Sequence, residues 1–190
     1  YGAIVKAARY VAARTGAKIV TVNIPLPVRH EEELLAAFGE HFTDRTRLLI
    51  LDHIVSPAGL IMPVRRLANL AHSKNVRVLV DGAHAPGNVP LNVTRTGADW
   101  YVANCHKWLF APRACGFLWA NGAAREGLHP LAISHGYEQG LAAEFDWTGT
   151  RDPSHFLSVP AAITFHERLG GRELMTRNAE LAYAMGTRLA

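Results

Sequence analysis

The chain has 190 residues, 49% of them apolar and 19% charged, with a formal net charge of +4, which suits one globular domain with a sizeable core. No apolar run approaches the ~20 residues of a membrane span and no secretory-type segment opens the sequence. The sixteen arginines among twenty basic residues are scattered as singles and pairs such as Arg65–Arg66, so neither membrane nor nucleic-acid binding is expected and the expected compartment is the cytoplasm. Cys105 and Cys115 are too few for a disulfide framework, and without CxxC or HExxH no metal site is expected.

Helical and strand periods alternate along the chain. Residues 2–14 carry Ile4, Val5, Ala8 and Val11–Ala12 at helical spacing, with Gly16 as the stop. Lys18–Val22 is β-branched and reads as a strand. A helix follows over Glu31–Phe38, its acidic residues gathered in the first turn where the helix dipole favours them. Arg47–Asp52 is a strand built on Leu48-Leu49-Ile50-Leu51. The next helix has Pro63 in its tolerant first turn and runs to about Lys74. Val76–Val80 and Ala98–Ala103 are two further strands. Helices over Ala161–Leu169 and Glu173–Leu189 close the chain.

Strands alternating with helices, the strands being uninterrupted apolar runs, imply an α/β fold with a mostly parallel sheet covered by helices on both faces. The purely helical pattern after about Pro160 divides the chain into residues 1–160, the sheet part, and 161–190, helices leading away from it. Tyr1-Gly2-Ala3-Ile4 enters a helix at once and Arg188-Leu189-Ala190 stops inside one, so a segment cut at both ends is expected.

Open parallel sheets bind ligands beyond the carboxyl ends of their strands, which directs attention to the residues after Asp52, Asp81 and Ala103. Asp81 ends an apolar strand and precedes Gly82-Ala83-His84; from position alone it is either a turn residue or a functional acid at the ligand face. Of the four lysines, Lys6, Lys18 and Lys74 lie on polar faces or at element ends. Lys107 sits in Cys105-His106-Lys107-Trp108-Leu109-Phe110, whose apolar members would desolvate an amine and favour its nucleophilic form, unless it snorkels out of the loop. An amine and a carboxylate, each just past the end of its own strand, are what a pyridoxal-phosphate enzyme requires: one to form the imine, the other to keep the ring nitrogen protonated.

Three runs carry a resemblance: Val80-Asp81-Gly82-Ala83-His84, Cys105-His106-Lys107-Trp108 and Trp147-Thr148-Gly149-Thr150-Arg151-Asp152. Together they resemble the class V aminotransferase group of fold-type I pyridoxal-phosphate enzymes, and within it the isopenicillin N epimerase-like proteins, over nearly the whole chain. The resemblance implies the large cofactor-binding domain of that fold, followed by the start of a helical link to a smaller C-terminal domain. It also implies pyridoxal 5'-phosphate as cofactor and an amino acid or derivative as substrate. Lys107 would be the catalytic Schiff-base lysine and Asp81 the partner of the pyridine nitrogen, with His84 near the ring hydroxyl. Asn104 and His106 would contact the phosphate, Gly149 and Thr150 would reach the phosphate of a neighbouring subunit in a homodimer with shared active sites, and Tyr1 would stack on the ring. Ser56 lies at a strand end where relatives contact cofactor or substrate.

Structural readings stand beside these roles. His84 and His106 also fit hydrogen bonds within their own loops, Ser56 fits a plain turn, and Asp152 with Pro153 reads as a helix start. His129, His135 and His155 show no partner pattern and read as surface or packing residues, Trp108 and Trp147 as pocket-lining or core, and Cys105 as a packing residue. Epimerisation and C–S cleavage both fit this reading. The alternatives are a cysteine desulfurase, whose reactive cysteine would come from a later segment, and a truncated, inactive fragment of the same fold. A nucleotide-binding sheet protein is disfavoured because GxGxxG and GxxxxGK[ST] are absent.

Overall fold

The computed structural model describes residues 1–189. Helix α1 (Gly2–Thr15) is ended by Gly16, whose φ of 73° is cheap only for glycine and whose N–H bonds the Ala12 carbonyl. Helix α2 (Glu31–Gly39) follows, and then strand β1 (Leu48–Asp52). A short hairpin, β2 (Ile54–Val55) and β3 (Leu60–Ile61), leads into α3 (Val64–His72), which Pro63 precedes as N-cap. Strands β4 (Arg77–Asp81), β5 (Trp100–Asn104) and β6 (Gly116–Ala120) complete the sheet. Helices α4 (Leu141–Asp146), α5 (Ser154–Leu157), α6 (Val159–Arg168) and α7 (Arg172–Leu189) finish the chain.

The main sheet has the order β1-β4-β5-β6. Its first two pairings are parallel, and β6 runs antiparallel to β5, so the sheet is mostly parallel as expected. Register sets Asp52 opposite Asp81, and Asp81 opposite Val102, so three strands end on one rim.

Alternate strand residues Leu49, Leu51, Val78, Val80, Tyr101 and Ala103 enter one core with Leu34 and Phe38 of α2 and Val64, Leu67, Ala68 and Ala71 of α3. Arg66 ties α3 back to α2 through Glu31 and Glu32 at 2.8 and 2.9 Å; exposed as this network is, solvent screening leaves it little stabilising weight. Uninterrupted apolar strands led to the expectation of helices on both faces. Helices α2 and α3 cover one face closely, while on the other Leu48 and Ile50 stay 45% and 37% exposed. At the sheet's far end α6 buries Ala162 against Cys105, Ala111 and Cys115, and the His166 Nε2–H donates to the Gly87 carbonyl at 2.9 Å. Helix α7 buries no residue.

One expected strand does not form. Lys18–Val22 is extended but unpaired, with Ile19 and Val20 exposed. A β-branched run needs a neighbour to fill its hydrogen bonds and pack its side chains, and among the described residues only Val22 packs, partly buried, against the core. The antiparallel β6, the β2–β3 hairpin and the short helices α4 and α5 had no expectation in the sequence reading.

Candidate active site

Asp81 is held where β4 runs out. Its carbonyl accepts from the His53 backbone N–H at 2.8 Å, and the next peptide N–H, that of Gly82, donates to Val102 at 2.7 Å. The carboxylate Oδ1 accepts from the Ala83 N–H at 3.0 Å, closing a turn that swings His84 over the rim. Gly82 is required by packing: a Cβ there would lie 2.2 Å from the Tyr101 ring.

The Lys107 loop follows β5 and is closed by the Cys105 N–H to the Cys115 carbonyl at 2.9 Å and the Ala111 N–H to the Cys105 carbonyl at 3.0 Å. It lies against the Asp81 loop so tightly that a Cβ on Gly87, at φ 79°, would fall 2.4 Å from the Trp108 carbonyl oxygen. This backbone-to-backbone approach brings Lys107 Nζ to 3.1 Å from His84 Nε2. The Trp108 indole N–H donates to the other ring nitrogen, Nδ1, at 3.2 Å. An indole can only donate, so in the neutral ring the proton sits on Nε2, and the Lys107 contact is a hydrogen bond only when the amine offers its lone pair. That is the form a nucleophilic lysine needs. His84 is held below the ordinary histidine range, first by burial and then by any charge on Lys107, with Asp81 and Asp52 opposing. Asp52, in register with Asp81, is pushed above the usual carboxylate range by burial; the α-amino group of Tyr1 opposes this and Asp81 adds to it.

The structure thus brings Asp81, His84 and Lys107 together. Asn104 and His106 stand beside them but are occupied with each other and with the loop. The His106 Nδ1–H donates to the Cys115 carbonyl at 2.8 Å, and Nε2 accepts from the Asn104 amide at 2.8 Å. Tyr1 is exposed at the same rim, its nitrogen 3.9 Å from Asp52 Oδ2. Ser56 lies exposed in the β2–β3 turn, and Gly149 and Thr150 lie exposed in the loop after α4; among the described residues no hydrogen bond joins any of the three to the Lys107 cluster. Asp152 accepts from the Ser154 N–H, the structural part expected of it. Trp108 and Trp147 are both outside the core.

Three residues escaped the sequence reading. His129, taken as partnerless, pairs through Nδ1 with the buried carboxylate of Glu144, a contact the sequence hides because the two are joined only by the folding of the loop. His53 and Tyr101 bond at 2.6 Å beneath the Asp81 turn. A tyrosine facing inward on an otherwise apolar strand was the available signal, since a buried hydroxyl needs a partner.

A profile of the aminotransferase class-V family matches residues 1–190. The L-cysteine desulfhydrase of Arabidopsis thaliana is 38% identical over all of the chain and 44% of its own length. The isopenicillin N epimerase of Streptomyces clavuligerus is 35% identical over 90% of the chain and 47% of its own length. Two structures of the cystine C–S lyase C-DES each cover 91% of the chain. The one with the product cysteine persulfide has a TM-score of 0.77 at 26% identity, and a lysine variant with glycine covalently linked to the pyridoxal-phosphate cofactor has 0.73 at 25%. The chain covers 49% and 48% of those two chains, so it spans about half the length of the relatives it matches.

Proposed function

The chain belongs to the class-V aminotransferase family of pyridoxal-phosphate enzymes, and from that premise we propose that it acts at the α-carbon of an amino acid or derivative, by C–S cleavage or by epimerisation. The observation that carries this reading is the amine of Lys107 and the carboxylate of Asp81 at two adjoining parallel strand ends, with His84 between them. The donor set fits the cofactor: one primary amine, one acid, and imidazole and amide groups around them. When bound, pyridoxal phosphate supplies an electron sink for charge developing at the substrate's α-carbon.

In this reading Lys107 would hold the cofactor through its Nζ, and the same amine would move a proton at the substrate's α-carbon. Asp81 would hold the proton on the cofactor's ring nitrogen. His84 would offer its Nε2–H as a hydrogen-bond donor to the amine, with the Trp108 indole holding Nδ1 as the acceptor. Asn104 and His106 would hold the phosphate, and Tyr1 and Ser56 would contact cofactor or substrate from the rim. Gly149 and Thr150, exposed and apart from the cluster, support a homodimer in which they serve the partner's site. No helix among the described residues is long and apolar enough to cross a membrane. Two buried free thiols fit a reducing, cytoplasmic compartment. Helix α7, which buries no residue, supports a division at its start, whereas α6 packs Ala162 and His166 onto the sheet part on the far side of residue 160.

Titration with pyridoxal phosphate tests the reading. The protein is expected to gain a visible absorbance band that borohydride removes, and Lys107→Ala is expected to lack the band while keeping its thermal midpoint. An unchanged spectrum in Lys107→Ala would refute the assignment.

A further inference from the structure

We infer that Tyr101 and His53 are positioning residues that together fix the Asp81 turn in the geometry its carboxylate needs. The inference rests on the cofactor reading above, and its observations are separate from those that support the reading. Strand alternation sends Tyr101 to the face opposite Asp81. Its ring passes under Gly82, close enough to exclude a Cβ, and its hydroxyl reaches His53 Nδ1 at 2.6 Å, beyond the end of β1. The rings of His53 and Tyr101 meet edge to face, with centroids 5.9 Å apart. The His53 backbone N–H in turn bonds the Asp81 carbonyl at 2.8 Å. One side chain therefore starts on β5, crosses below β4 and ends on the residue after β1, and that residue grips the peptide carrying the carboxylate.

The protonation states suit the strut. Burial, and secondarily the charge of Asp81, push the Tyr101 hydroxyl above its ordinary range, so it stays a donor. Burial pushes His53 down, so Nδ1 stays free to accept. Tyr101 is wholly buried, so its hydroxyl has no exchange with solvent to fall back on. Asp52, Asp81, His84, Lys107 and the Tyr1 α-amino group are the other charged or titratable groups at these strand ends, and the His53–Tyr101 bond is made without any of them.

The strut predicts a property of the loaded protein that a filler of space would not affect. Tyr101→Phe keeps the ring against Gly82 and removes only the hydroxyl, and His53→Leu removes the acceptor together with the edge-to-face ring contact. Each is expected to weaken pyridoxal-phosphate binding roughly three- to tenfold, the scale of one buried hydrogen bond. Each should also move the pH midpoint of the visible band upward by about half a unit, because a carboxylate set less well against the ring nitrogen holds less positive charge there to oppose protonation of the lysine-linked nitrogen. The double variant should shift no further than either single one. His53→Asn, which offers an amide oxygen near the place of Nδ1, should return the midpoint toward that of the wild type. Leu67→Ala, a core change away from the strut, should lower the thermal midpoint and leave the band's pH midpoint alone. The strut is overturned if Tyr101→Phe changes thermal stability without moving the pH midpoint, if the single shifts add, or if Leu67→Ala moves the midpoint as far. A wild-type protein with no visible band overturns the cofactor reading and the strut with it, whereas a normal wild-type band with unmoved variants overturns the strut alone.

Discussion

Val78-Leu79-Val80 and Ile19-Val20-Thr21-Val22 are chemically alike, yet they meet opposite fates. The first lies in the middle of the sheet, with Val78 and Val80 wholly buried; the second is extended and unpaired, with Ile19 and Val20 exposed. The same contrast separates helix α3, which buries Val64, Leu67, Ala68 and Ala71, from α7, which has twice its length and buries none. Composition makes a segment able to form an element; a neighbour on the right side makes the element carry stability. Chemistry belongs to the well-packed region, because an amine and a carboxylate keep a fixed geometry only on elements that do not move.

The sharpest way to break this comparison is at Gly82. A Cβ there would overlap the wholly buried Tyr101 ring, which has no flexible end to yield. Gly82→Ala is therefore expected to cost about 3 kcal/mol or more, read as a collapse of the denaturant midpoint and loss of cofactor binding; a folded, binding variant would show that the rim has slack. The contrast between the two regions is read directly by truncating one leucine in each. Leu67→Ala should cost about 2–5 kcal/mol, whereas Leu181→Ala on α7, where the side chain is 63% exposed, should stay within about 0.5 kcal/mol. Equal losses in chemical denaturation would mean that α7 packs as firmly as α3. The smallest effect is that of pH. His53 and His84 are both held below the ordinary value of 6.5 by burial. The unfolded chain takes up protons first as pH falls, so stability is full above about pH 7.5 and declines as pH drops through 6.5 toward the folded values. Asp52, shifted the other way, acts with opposite sign and at more acidic pH. Thermal midpoints that stay flat or rise between about pH 7.5 and 5.5 would contradict the burial of these two rings.

Much of the fold was legible before any coordinates. The strands ending near Asp52, Asp81 and Asn104 and the helices over residues 2–14, 31–38 and 161–189 stand within a few residues of where periodicity put them, because an apolar run or a 3.6-residue repeat is a local property. The antiparallel β6 was hidden because Gly116–Ala120 has no alternation to mark it and pairs only once β5 is in place. Within the site, Asp81 and Lys107 were legible from their positions just past apolar runs. His84 needed its motif, and Trp108 as its hydrogen-bond donor needed the fold.

By itself the sequence determined strands β1, β4 and β5 and the helices α1, α2, α3, α6 and α7 to within a few residues, that the sheet is mostly parallel, and that one lysine and one aspartate sit at or just past the ends of neighbouring strands. Only the tertiary structure decided that Lys18–Val22 stays unpaired, that Gly82 and Gly87 admit no side chain, that His84 takes its proton on Nε2, and that Tyr101 reaches His53 beneath β4. The reason is physical: periodicity and chain order are written within a few residues of each other, whereas a close contact between loops far apart in the chain exists only after the strands beneath them have fixed their distance.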